Sequence, residues 1–218
     1  VTKLRARHVV WDWNGTLLND NHAVLAAVNS VCAQYGRAAV TLEEWRAVFS
    51  RPILACYEKV LGQALTDADW DVIDRHYHDA YRLELETCGL AVGVPDLLHQ
   101  WRDGGRTQSL LSMWFHEELV PLIGKLSLTD LFNRVDGLRG YNMGGSKAAH
   151  LVEHLQAQDL DPADVVLIGD VVDDAEAAAK VGAQCVLVTT GMMPRFRLET
   201  AGVPVTDSIP EALALLDA

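Results

Sequence analysis

The chain has 218 residues, half of them hydrophobic, and a formal net charge of −12 at pH 7. That length buries a substantial core with room for a smaller inserted unit, and no apolar run approaches the roughly 20 residues needed to cross a bilayer. The acidic balance disfavours nucleic acid and anionic membrane surfaces as partners but leaves small phosphorylated molecules open, because local cations set the field inside a site.

The start, Val1 to Arg7, carries charges but no apolar stretch of the kind that forms a secretory signal. The first strand is read over His8-Val9-Val10-Trp11 and ends in Asp12-Trp13-Asn14-Gly15-Thr16, a carboxylate followed by a tight turn. In an open α/β sheet, ligands bind in the crevice outside strand tips, so Asp12 is placed either for chemistry or for capping the turn.

Helices follow. Asn21 to Tyr35 carries Val24, Leu25, Val28, Val31 and Cys32 at helical spacing and stops at Gly36. Thr41-Leu42-Glu43-Glu44 is a capping-box start, Pro52 opens a further helix ending near Gly62, and Thr66-Asp67-Ala68-Asp69 begins a long one reaching about Thr87. These helices predict a small bundle over residues 19–87. Val94 to Arg102 reads as a helix stopped by Asp103-Gly104-Gly105.

Arg106 to Met113 reads as a strand ending at the Ser112 hydroxyl, with a helix from near Trp114. Ser112 is placed either to donate to a phosphoryl oxygen or to cap that helix. After Gly144-Gly145-Ser146, Lys147 opens an amphipathic helix. A lysine there opposes the helix dipole, which favours a task such as neutralising an anion.

His150 and His154 sit four apart on this helix, either as half a zinc site or, without a Glu or Cys partner nearby in sequence, as a solvated face. Asp161-Pro162-Ala163-Asp164 is a turn. Val165 to Gly169 is a fully apolar parallel strand, and Asp170, Asp173 and Asp174 follow it.

Three acids within five residues repel one another unless a cation joins them, and oxygen-only ligands favour Mg²⁺. Alternatively, Asp173 and Asp174 merely precede the Ala-rich helix expected from about Glu176. Gln184 to Thr189 and Val203 to Val205 read as strands, with a last helix from about Pro210. Alternating strands and helices predict an α/β fold with a doubly wound parallel sheet. Cysteines 32, 56, 88 and 185 lack C-x-x-C spacing and read as reduced, mostly buried thiols of a cytoplasmic protein.

The ordered set Asp12, Ser112, Lys147 and Gly169-Asp170-x-x-x-Asp174 resembles the four motifs of the haloacid dehalogenase superfamily, in its phosphoglycolate-phosphatase-like branch. The resemblance implies a Rossmann-like core of residues 1–18 and 88–218, with the bundle of 19–87 inserted after the first motif as a helical cap that closes over the strand tips. It implies Asp12 as nucleophile, forming an aspartyl-phosphate, with Ser112, Met113, Lys147 and the backbone amides of Trp13 and Asn14 around the phosphoryl group. It further implies Mg²⁺ held by Asp12, the Asn14 carbonyl, Asp170 and Asp174. A small phosphorylated metabolite is the expected partner, and the protein a monomer or homodimer.

Family phosphatases carry a second Asp two residues after the nucleophile. Here that residue is Asn14, and an amide cannot exchange a proton at neutral pH. A positioned acid or base is worth about 10²–10⁴-fold in rate, so ester hydrolysis should suffer while metal binding survives. Three readings follow: a substrate with a good leaving group, another proton source such as His22 or a cap residue, or a silent member kept for ligand binding or interaction.

Dehalogenases of the fold lack the full acidic cluster, and the P-type ATPases, which also lack the second Asp, are membrane proteins. Both readings are therefore disfavoured. Arg51, beside Pro52, is the candidate for an anionic substrate group or else an ordinary surface arginine. Trp13 and Trp114 either contact substrate or pack.

Overall fold

A computed structural model describes residues 3–139 and 146–217. Strand β1 (Leu4–Arg5) leads into β2 (His8–Trp11), whose four residues are all buried, as expected of a strand covered on both faces. After a turn, β3 (Leu18–Asn19) leads to four helices: α1 (Asn21–Gln34), α2 (Leu42–Val48), α3 (Leu54–Leu61) and α4 (Asp67–Leu85). Strand β4 (Gly89–Leu90) pairs with β3, so the chain returns beside the place where it left.

There follow α5 (Val94–Asp103), β5 (Thr107–Phe115), α6 (His116–Lys125) and β6 (Val135–Leu138). Next come α7 (Lys147–Gln156), β7 (Val165–Gly169), α8 (Val172–Val181) and β8 (Gln184–Val188). The chain finishes with α9 (Arg195–Leu198), β9 (Val205–Thr206), α10 (Ile209–Ala214) and β10 (Leu216–Asp217), the last paired with β1.

The main sheet has six strands in the order β6-β5-β2-β7-β8-β9, and every pairing is parallel. This is the α/β doubly wound architecture expected from the strand and helix pattern, with a helical region inserted early. The residues group into two units. One comprises Val1–Leu18, Leu90–Gly191 and Arg195–Ala218; the other comprises Asn19–Gly89 and Met192–Pro194.

In the helical unit, α1 packs along α4 through Val28, Val31, Ile73 and Tyr81, all buried. Both expected capping boxes form. Thr41 and Glu44 cap α2 reciprocally, and Thr66 and Asp69 cap α4, each satisfying two amide donors that a bare helix start leaves open. The Tyr81 hydroxyl donates to buried Asp20 at 2.7 Å.

Several boundaries differ from the sequence reading. β5 runs to Phe115, past Ser112, because pairing with β6 resumes at Phe115 after a register shift, and α6 therefore starts at His116 rather than Trp114. β6 itself, Val-Asp-Gly-Leu, was not anticipated: it has no apolar run and lies at the sheet edge. α3 begins at Leu54, two residues after Pro52.

The larger correction concerns α8. It begins at Val172, not near Glu176, so Asp173 and Asp174 belong to its first turn. The Asp174 side chain accepts the Val171 amide at 3.1 Å and thereby closes the helix start. His154 is the other: it is fully buried rather than on a solvated face. Gly144 and Gly145 lie outside the described residues.

Candidate active site

The strand order reverses between β2 and β7. From β2 the chain proceeds outward through β5 and β6, and from β7 outward through β8 and β9. The crevice outside the carboxyl ends at such a switch point is where doubly wound sheets bind ligands. Asp12 leaves β2 and Asp170 leaves β7, one on each side of it. The Asp12 amide donates to the Ile168 carbonyl at 2.9 Å, extending the ladder by one rung and fixing the height at which the carboxylate emerges.

Asp12, Asp170 and Asp174 are buried, and each offers a carboxylate oxygen within 4.8 Å of the others. Lys147, the first residue of α7 and itself buried, brings its ammonium to both Asp12 Oδ1 and Asp174 Oδ1. Three carboxylates and one ammonium leave the cluster two negative charges in excess. Burial pushes the Asp12 carboxyl up to about 6, with Asp174 adding to the rise and Lys147 opposing it. Burial pulls the Lys147 ammonium down, but Asp12 and Asp174 outweigh that and hold it protonated.

The donor set fits a divalent metal. It is all oxygen, it is compact, and its excess of two charges is what such an ion neutralises. Two glycines make the arrangement possible. A Cβ on Gly169 would lie 2.1 Å from Asp174 Oδ2, and one on Gly191 would lie 1.6 Å from Asp170 Oδ2. The space a side chain would fill is occupied by the carboxylates. Gly169 belongs to the recognised motif, whereas Gly191 was missed by the sequence reading.

Also missed were Thr16, whose hydroxyl donates to Asp12 Oδ2 at 3.4 Å, and Thr190, whose hydroxyl donates to the Gly15 carbonyl at 2.6 Å. Thr190 and Gly191 come one residue past the end of β8, so a survey of every strand tip, not only the acidic ones, would have found them.

Ser112 is brought to the same place. Its Oγ lies 3.5 Å from Asn14 Oδ1 and accepts the Trp114 amide at 3.0 Å. Asn14 thus sits between the nucleophile candidate and the hydroxyl candidate, and no carboxylate occupies its position. Trp13 is wholly buried, and its indole N–H has no hydrogen-bond partner among the described residues.

Met113 is half-buried, and Asp173 lies outside the carboxylate cluster. Arg51 belongs to the helical unit, exposed between α2 and α3. His22, also in that unit, shares a hydrogen bond with Thr87 Oγ1 at 2.8 Å. The four cysteines are free thiols, three of them buried.

Fold and site together define a doubly wound α/β protein with a buried carboxylate centre at its switch point. Residues 9–188 match the haloacid dehalogenase-like hydrolase family, and the chain belongs to that family, in its phosphoglycolate-phosphatase-like branch. It is 25% identical to phosphoglycolate phosphatase 1 of Pseudomonas aeruginosa over 97% of this chain and 80% of that protein. It is 27% identical to the phosphoglycolate phosphatase of Nitrosospira multiformis over 86% of this chain and 85% of that one.

The fold is shared with a haloacid dehalogenase-like family hydrolase from Streptococcus pneumoniae, at a TM-score of 0.81 and 18% identity over 96% of this chain and 97% of the other. No described helix is long and apolar enough to cross a membrane.

Proposed function

We propose that this chain is a Mg²⁺-dependent phosphatase of a small phosphorylated metabolite, working through an aspartyl-phosphate on Asp12. The observation that carries the reading is the centre itself: three buried carboxylates within 4.8 Å of one another at the switch point, two of them joined by Lys147. A silent scaffold gains nothing from burying excess charge, which destabilises the fold that carries it.

In this reading Asp12 attacks phosphorus in line, the phosphorus–oxygen bond to the substrate alcohol breaks, and the electron pair leaves on that oxygen. The Ser112 hydroxyl and the Lys147 ammonium hold the phosphoryl oxygens, and Lys147 also keeps Asp12 ionised and aimed. Asp12, Asp170, Asp174 and the Asn14 carbonyl would hold Mg²⁺, which supplies charge neutralisation of the phosphoryl group.

Asn14 donates no proton to the leaving oxygen and takes none from water, so substrates with stable leaving anions are favoured. Arg51 is the candidate for an anionic group on it. The relatives make a phosphorylated short hydroxy acid such as phosphoglycolate the first natural substrate to assay.

The test is steady-state hydrolysis of an acyl phosphate, an aryl phosphate and phosphoglycolate, with Mg²⁺ or EDTA, by wild type, Asn14→Asp and Asp12→Asn. Expected are metal-dependent turnover that Asp12→Asn loses and a gain of about 10²-fold or more in Asn14→Asp on the poorest leaving group. Folded wild type and Asn14→Asp both inert on every substrate would overturn the reading.

A further inference from the structure

Away from the acidic centre, a second polar chain lies inside the core unit. His8 on β2, Thr107 and Ser109 on β5, Asp136 on β6 and His154 on α7 form one connected run. Ser109 Oγ lies 2.7 Å from His8 Nε2 and 2.7 Å from His154 Nε2. The opposite nitrogen of His154, Nδ1, lies 2.7 Å from Asp136 Oδ2. That of His8 lies 2.7 Å from Thr107 Oγ1. Asp136 also pairs with Arg134 and, at 3.5 Å, with Arg139.

Ser109, His154 and Asp136 stand in the order of a hydrolytic triad, but Ser109 and His154 have no exposed surface, so no substrate reaches them. The chain must act in another way. A hydroxyl has one proton, so when Ser109 donates to one imidazole, the other must donate to Ser109. Each histidine therefore fixes the other's tautomer, and His154 is held at both ring nitrogens. A buried polar network satisfied in this manner specifies one geometry where an apolar contact would tolerate several.

What it specifies is the seat of α7. The buried face of that helix carries Lys147, Leu151, His154 and Leu155. His154 is seven residues beyond Lys147, about 10 Å along the helix on the same face. The N-cap Ser146 makes no side-chain cap hydrogen bond, so among the described residues the polar hold on the start of α7 is Lys147 itself. Seven residues on, His154 ties the body of α7 to β5 and β6 directly and, through Ser109, to β2. Lys147 reaches Asp12 and Asp174 from the end of a flexible side chain whose helix must be held still.

We propose that the Ser109–His154–Asp136 run is a positioning device for Lys147, fixing α7 so that the ammonium rests on Asp12 and Asp174. The catalytic consequence rests on the phosphatase reading above, while the positioning itself does not. His154→Leu probes it cleanly, because Asp136 keeps its arginines and Ser109 keeps His8, so neither is left buried and unpaired.

The experiment follows the rate at which a small acylating reagent modifies each lysine of the folded, metal-free protein, read by mass spectrometry. Wild-type Lys147, with a side chain only 5% exposed, should be protected. In His154→Leu its rate should rise by about tenfold or more through local loosening, with Lys125 and Lys180 unchanged. His154→Gln, which keeps an amide to face Ser109, should restore most of the protection. Ser109→Ala, a smaller deletion, gives the same test if His154→Leu does not fold, with a rise of a few fold expected.

Lys147 staying as protected in the folded variant as in wild type, or all lysines gaining reactivity together, sinks the proposal. In the turnover assay the same variants should lower kcat and leave KM within about twofold, the mark of a misplaced group rather than lost substrate binding. Absence of wild-type turnover would count against the phosphatase reading alone, since lysine modification reports positioning without catalysis.

Discussion

Two polar clusters are buried in the same unit, and they are built on opposite principles. The one at the strand tips holds three carboxylates against a single ammonium. The one beneath α7 passes each hydrogen bond to the next group, and its acid, Asp136, is met by arginines and a histidine. Burial pushes the Asp12 carboxyl up to about 6. It pushes that of Asp136 up as well, but hydrogen bonds from His154 and Arg134 outweigh it and hold Asp136 well below the usual carboxylate range.

A satisfied buried network gives the fold a unique arrangement. An unsatisfied one costs stability and persists where something from outside completes it.

The sharpest way to test this contrast is to remove the shared cation. Lys147→Met should cut turnover by about 10²–10³-fold, the usual loss of one preorganised charge donor. A Lys147→Met enzyme within a few fold of wild type would mean that the ammonium at the tip cluster takes no part in the chemistry.

Next in size is a pH effect confined to the satisfied network. Burial, reinforced by His154, lowers the His8 imidazole from 6.5 to about 4. Between these values the unfolded chain binds a proton that the folded one refuses. The stabilisation is therefore complete above pH 6.5 and drains away as the pH falls through 4, by up to about 3 kcal/mol. Denaturant unfolding at steps across that window should show the slope in wild type and a shallower one in His8→Gln. Equal slopes would remove His8 from the account.

The smallest effect has the opposite sign from ordinary damage. Asp12→Asn lowers the excess charge at the tips from two to one, so in metal-free buffer near neutral pH it should stabilise the protein by about 1 kcal/mol, a melting shift of about 2–4 °C. Saturating Mg²⁺ should shrink the advantage, since wild type then gains binding energy on its native side. A destabilised Asp12→Asn would put the tip cluster in the same class as the network under α7.

The tip cluster was legible in the sequence because its parts announce themselves locally. Apolar runs ending in acid gave Asp12 and Asp170, and the spacing to Asp174 completed the set. The network beneath α7 was not, because its members come from four elements and meet only through strand register. His8 pairs with Thr107 and Val10 with Ser109, a relation no local pattern encodes.

His154 shows the difficulty well. On a helical wheel it lies with Lys147, and a histidine beside a lysine reads as solvated until the helix is docked. The edge strand β6 and the early start of α8 escaped for related reasons. Val-Asp-Gly-Leu has no apolar run, and two acids at a helix start look the same whether they cap the helix or ligate a metal. The helical insert was easier, because the Thr41 and Thr66 capping boxes are local signals with local causes.

The pairing of β3 with β4 has a consequence for descent as well as for structure. Because the chain departs and returns through adjacent strands, the two ends of the insert need only a short bridge to meet. A gene encoding this sheet can therefore lengthen, shorten or exchange the intervening helices without moving any of the six core strands.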